Sequence, residues 1–180
     1  MAVNVDVQAL RGISGSVLIP TDDGYDEARR VHNGLIDRRP AVIVRCQGAS
    51  DVAAAVHFAR DSGLDISVRG GGHNVAGRCV ADDAVMIDLS EMRGITVDAD
   101  ARTLRAEGGC TWAELNGAAA EHGLAVTGGA ISTTGIAGLT LGGGLGWLMA
   151  KHGLAADNLV GVQLVTAAGE VLDVLSLIHI

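Results

Sequence analysis

The sequence predicts an α+β fold built from an N-terminal βαβ subdomain and a second α+β subdomain. Three observations carry this reading. Short β-branched runs flank an amphipathic helical stretch, antiparallel strand signals follow, and glycines cluster at segment ends. At 180 residues the chain can bury one good core or two small subdomains sharing one, and 48% apolar residues suit a soluble globular protein. The 26 glycines follow no collagen-like or low-complexity period, so they read as tight turns and close backbone approaches.

Residues 1–37 form a polar N-terminal extension with one helix expected at 25–36 and no nameable chemistry. At 41–46, AVIVRC is short, apolar and β-branched, as a buried strand requires. Ser50 is placed to cap a helix whose apolar stripe is Val52, Ala55, Val56 and Ala59, and Gly63 supplies its stop. Strand character resumes at 66–69, which completes a parallel βαβ unit with a right-handed crossover. The loop that follows therefore leaves the carboxyl edge of a parallel strand, where open α/β sheets bind ligands.

VMIDL at 85–89 is a further strand, and 94–109 reads as two strands around Asp98-Ala99-Asp100. Thr111 and Glu114 form a capping box that opens a helix running to about 122, with Gly123 as its stop. The glycine-rich stretch 127–146 precedes a short helix ending near Gly153, and 159–166 with 170–174 forms a hairpin. The two subdomains span about 38–92 and 93–174, with their glycine-rich loops expected to face each other.

Composition excludes several classes. Aromatic residues at 2% leave few rings for bases to stack on, and a net charge of -8 opposes polyanions, so no nucleic-acid partner is expected. The N-terminus lacks a basic-then-apolar leader and no long uncharged apolar segment follows, so no membrane partner and a cytoplasmic location are expected. Cys46, Cys79 and Cys110 show no metal or disulfide spacing and read as small buried apolar residues. A P-loop is excluded because the only lysine, Lys151, follows no such loop, and neither glycine cluster has the G-x-G-x-x-G spacing of a dinucleotide turn.

The loop SVRGGGHNVAG, residues 67–77, is the sharpest feature. Without Cβ atoms at Gly70, Gly71 and Gly72, successive N–H groups can turn toward one point and bind an anion such as a pyrophosphate. The same glycines serve equally to relieve crowding in a turn. Arg69 can add a charged contact or pair with a local carboxylate, and His73 can be a structural hydrogen-bonding residue or a reactive one. No residues at ligand spacing surround His73, so no metal is expected. His32, His57, His122 and His152 fall on predicted helices or their ends and read as surface or cap residues.

Three segments together carry a family resemblance: SVRGGGHNVAG, VMIDLSEMRGITVDADARTLRAEGGCTWAELN and TGGAISTTGIAGLTLGGGLGWLMAKHGLAADNLVG. From about 40 to 174 the chain resembles the berberine-bridge-enzyme-like and 6-hydroxynicotine-oxidase-like flavoproteins of the vanillyl-alcohol-oxidase superfamily. The resemblance implies a PCMH-type FAD-binding domain, incomplete at its C-terminus. It implies that Arg69, Gly70, Gly71, Gly72, His73 and Asn74 wrap the FAD pyrophosphate, with His73 bonded covalently to the 8α carbon of the flavin. Ile131 stands where some relatives place a second linking cysteine, so a single covalent bond is expected. Gly128, Gly129, Ser132, Thr133, Gly135, Gly138, Gly142, Gly143 and Gly144 would serve the ribityl chain and phosphates, with a turn or core role open for each glycine. Asp157 and Asn158 would support these loops.

The implied activity is hydride transfer from an alcohol, amine or sugar hemiacetal of a small-molecule substrate to FAD, with O2 as electron acceptor. Relatives carry the assisting tyrosine or carboxylate beyond this stretch. No catalytic residue is therefore assigned, Tyr25 fits no such position, and the chain alone is expected to be inactive or nearly so. The hexapeptide LSLIHI at 175–180 is the translation of a transposase adaptor end used in sequencing libraries, and is read as an adaptor-derived tail. Two other readings stay open: a non-catalytic flavin or small-ligand binding module, and an α/β interaction domain whose glycines only make turns.

Overall fold

A computed structural model describes residues 5–175 of the chain, so 176–180 of the expected tail lie outside it. After a 3-10 turn at Val7–Leu10 come β1 (Ser16–Leu18), α1 (Tyr25–Ala28), β2 (Val42–Arg45), α2 (Ala49–Ser62), β3 (Ile66–Arg69) and β4 (Val85–Asp88). They form a four-stranded sheet in the order β1-β2-β4-β3, parallel except for β1. The strands that bracket α2 are thus parallel but not adjacent, because β4 inserts between them.

Both faces of the central strands β2 and β4 are covered, which is why they read as unbroken apolar runs, whereas Ile66 and Val68 on the edge strand β3 are exposed. Val42, Val44, Val85 and Ile87 pack with Ala55, Val56, Phe58 and Ala59 of α2. Ile43 and Met86 point the other way, into a cluster with Tyr25, Ala28 and Val80. Burying each such side chain stabilises the fold by about 1.5–3 kcal/mol. Tyr25 anchors its segment by donating its hydroxyl to Pro40 O at 2.6 Å. Burial raises its pKa, so the phenol stays protonated as a donor.

The second part begins with an antiparallel pair, β5 (Ile95–Asp98) and β6 (Thr103–Ala106), followed by α3 (Trp112–Glu121). Next come α4 (Ile136–Leu141), α5 (Met149–His152), a 3-10 turn at Ala156–Asn158, and the hairpin of β7 (Gly161–Val165) and β8 (Val171–Leu175). Its core gathers Trp112, Leu115 and Ala155, with Ile95, Leu104, Ile136 and Leu139 packed against them. The capping box forms as the sequence predicts: the Thr111 N–H and hydroxyl both donate to Glu114 Oε2 at 2.8 Å. Burial opposes ionisation of Glu114, but these bonds and Arg93 hold its pKa below the usual value.

Four expectations change. The helix expected at 25–36 ends at Ala28, because Arg29 is drawn onto Asp26, Asp37 and the Arg38 carbonyl, and the Asn33 side chain accepts the Leu35 N–H at 3.1 Å. Such local side-chain bonds compete with helical ones. Ser50 is not the cap of α2, which starts at Ala49 after an extended Gly48. Instead the buried Asp51 carboxylate accepts the N–H groups of Ser14, Gly15 and Gln47, each at 3.0 Å. The sequence reading also missed β1 and α4.

Candidate functional site

The register of the sheet sets the floor of the site. Arg45, Asp88 and Arg69 stand side by side at the carboxyl ends of β2, β4 and β3. Asp88 is fully buried and lies 3.4 Å from Arg69 Nη1 and 3.7 Å from Arg45 Nε. Of the two roles open to Arg69, the structure places it in the local pair: its Nη1 also donates to Ala28 O at 3.0 Å. The side chain folds back beneath Gly72, where a Cβ would lie 3.3 Å from Arg69 Nε.

Past Arg69 the chain enters the glycine loop. Gly72 adopts φ +71°, a left-handed conformation that a residue with a Cβ resists. Among the described residues, the N–H groups of Gly70 through Asn74 donate to no protein acceptor. Asn74 closes the loop as a turn, its O accepting the Gly77 N–H and its Oδ1 the Arg78 N–H, both at 3.0 Å.

The second glycine-rich segment does face this loop. A Cβ on Gly71 would strike Gly135 N and sit 2.6 Å from its Cα, and one on Gly135 would strike Gly71 in return. Backbone therefore crosses backbone with no room for a methyl group. Gly135 is held in place by α3, since Trp112 N–H donates to Thr134 O and Ile136 N–H to Cys110 O. A Cβ on Gly128 would enter the Trp112 ring, and one on Gly129 would press on Leu139 Cδ1 at 2.9 Å and on the Trp112 indole at 3.1 Å. Farther on, Gly142 caps α4, Gly144 packs against Ala155, and the carbonyls of Gly143 and Gly144 accept the N–H groups of Ala156 and Ala155 at 3.0 Å. Gly138 has nothing within 4 Å of its Cβ position. Asn158 Nδ2 reaches Thr127 Oγ1 at 3.1 Å and the carbonyls of His152 and Leu154 at 2.9 Å, while Asp157 accepts the Leu154 N–H.

His73 sits at the crossing. Its Nε2 is 3.1 Å from Thr133 Oγ1 and its Nδ1 3.4 Å from Thr134 Oγ1. Partial burial, together with the nearby His32 ring, lowers its pKa, so the imidazole is neutral at pH 7 and keeps a lone pair on one nitrogen. His32 stacks on it, with ring centroids 4.0 Å apart; it is exposed, as the sequence suggests, but lies beyond the end of α1 and not on a helix. Ser132 and Ile131 are exposed beside these threonines. The three cysteines take no part: all are buried, and burial pushes the Cys46 thiol up to about 12.

This geometry can hold a diphosphate on bare main chain and present a nucleophilic imidazole next to it. Comparison with known proteins places the chain in a family. The family described as an FAD binding domain matches residues 40–175. The chain is 42% identical over 160 residues to (R)-6-hydroxynicotine oxidase of Paenarthrobacter nicotinovorans, covering 89% of this chain and 35% of that protein. It is 36% identical over 170 residues to the FAD-linked oxidoreductase pgmH of Aspergillus terreus, covering 92% and 35%. Among solved structures, 6-hydroxy-D-nicotine oxidase from Arthrobacter nicotinovorans superposes with a TM-score of 0.89 at 42% identity over 91% of this chain and 36% of that one. BBE-like 1 of Physcomitrella patens also gives 0.89, at 30% identity, over 94% and 37%. The chain thus spans about a third of the length of the relatives it matches. From the span of the match and the shared architecture, the chain belongs to the FAD binding domain family and has its PCMH-type α+β fold.

Proposed function

We propose that this chain is the cofactor-binding part of a flavin-dependent oxidoreductase that takes a hydride from a small organic substrate, an alcohol, amine or sugar hemiacetal. In this reading FAD is held by a single covalent bond from its 8α carbon to His73, and O2 is the electron acceptor. The observation that carries it is the crossing of two glycine loops around one neutral histidine. The residues present fit the cofactor: among the described residues the N–H groups of Gly70 through Asn74 have no protein acceptor and are left for a diphosphate, and Thr133 Oγ1 lies 3.1 Å from His73 Nε2 with Ser132 exposed next to it in the chain.

FAD supplies the two-electron acceptor, and the chain supplies its grip. The Gly70–Asn74 main chain would neutralise phosphate charge by donated hydrogen bonds, and Arg69 sets the loop from below through Asp88. Thr133 and Thr134 bracket the His73 nitrogens, so one hydroxyl can accept the ring N–H and the other steady the lone pair. The neutral His73 imidazole would supply the lone pair for the C–N bond, and O2 would take up, as H2O2, the two hydrogens and electron pair given up by the ring and the 8α methyl. Fixing the imidazole beside the bound phosphates makes that bond formation effectively unimolecular. Ile131 has no thiol to form a second link.

Acid precipitation of the expressed protein tests the reading. Flavin fluorescence should stay with the pellet and vanish from it in His73→Ala. Complete release of flavin from the unaltered protein would refute the covalent link, and failure to take up any flavin would refute the function.

A further inference from the structure

The His32 ring is held against His73 by more than proximity. The segment after α1 is stitched to the glycine loop on both sides of His73: His32 N–H donates to Gly72 O at 3.0 Å, and Asn33 Nδ2 donates to Val75 O at 2.8 Å. Between these two ties the imidazoles lie 4.0 Å apart at an interplanar angle of 14°. His73 is thereby fixed in all directions that matter: one face lies on His32, and its nitrogens lie at Thr133 and Thr134. An exposed histidine in a polar extension has no core role to explain this arrangement.

We propose that His32 is a positioning residue, a flat backing that holds the His73 ring in the plane needed for cofactor attachment, so that attachment depends on an aromatic ring at position 32. The proposal rests on the reading of His73 as the FAD anchor. It assigns His32 no proton transfer. Phenylalanine should therefore replace it, whereas alanine should not. Because both ties to the loop use the His32 backbone and the Asn33 side chain, they survive either substitution and the loop keeps its path.

The test follows covalent FAD incorporation into cofactor-free protein over time, in the unaltered chain, His32→Ala, His32→Phe and His73→Ala. His32→Ala should slow attachment by about tenfold or more through lost orientation, and His32→Phe should stay within about threefold of the unaltered rate. An unaltered rate in His32→Ala, or a rate in His32→Phe as slow as in His32→Ala, overturns the proposal. Proton resonances of His73 give a second readout without flavin: the stacked ring should shift the His73 Hε1 signal upfield in the unaltered chain and in His32→Phe, and not in His32→Ala. If no variant takes up covalent flavin, the FAD reading fails. The backing role is then decided by that upfield shift, whose absence from the unaltered chain overturns it.

Discussion

Gly71→Ala tests the crossing of the two loops, on which the site depends. The added Cβ would stand 2.6 Å from Gly135 Cα and 3.2 Å from Thr134 C, where ordinary van der Waals contact needs 3.4–4 Å. Both obstacles are backbone, so no side chain can swing aside. The loops must part by roughly 1 Å, and overpacking of this kind costs about 1–3 kcal/mol. For a chain of this size each kcal/mol lowers Tm by about 2–4 °C, so a fall of about 2–12 °C is expected by differential scanning calorimetry. The same displacement moves Thr133 and Thr134 away from His73 and should slow flavin attachment by about a hundredfold. Gly117→Ala is the control: it lies inside α3 with nothing within 4 Å of its Cβ position, and alanine there should raise stability by up to about 1 kcal/mol. If Gly71→Ala melts with the unaltered protein and takes up flavin at the same rate, the loops do not meet as described.

Further predictions concern charge and thiols. Asp88→Ala leaves Arg45 and Arg69 facing a buried gap and should cost about 3–5 kcal/mol, read as a lower midpoint in urea without a changed slope. Since the folded pKa of His73 lies below its ordinary 6.5, the unfolded chain takes up the proton first. Stability should therefore be full above pH 6.5 and decline as pH falls from there through the folded value, and His73→Asn should lessen the decline in Tm. Cys46, Cys79 and Cys110 should resist a thiol reagent at pH 8 in the native protein and all three react in denaturant; fast native labelling would contradict their burial.

Much of this fold was legible because its signals are local. The β-branched run at 41–46, the stripe on α2 and the Thr111–Glu114 box each sit within one element, so periodicity and capping reveal them. The position of β4 between β2 and β3 was not legible, since strand order is decided by contacts far apart in sequence. Helix α4 was hidden by Gly138 and Gly142, whose flexibility argues against a helix until packing of Ile136 and Leu139 on Trp112 overrides it. The extension 1–37 looked empty for a similar reason. Tyr25 has its partner at Pro40 and His32 at His73, and neither spacing leaves a periodic trace. The glycine loop and His73 were visible as a motif, whereas the turn of Arg69 onto Asp88 needed the register of the sheet.

The most direct test is the mass of one tryptic peptide. Cleavage after Arg69 and Arg78 releases residues 70–78, Gly-Gly-Gly-His-Asn-Val-Ala-Gly-Arg. From protein purified with its flavin, that peptide should carry the added mass of one flavin, localised by fragmentation to His73. An unmodified peptide 70–78, with the flavin released on denaturation or bonded to another peptide, would contradict the account.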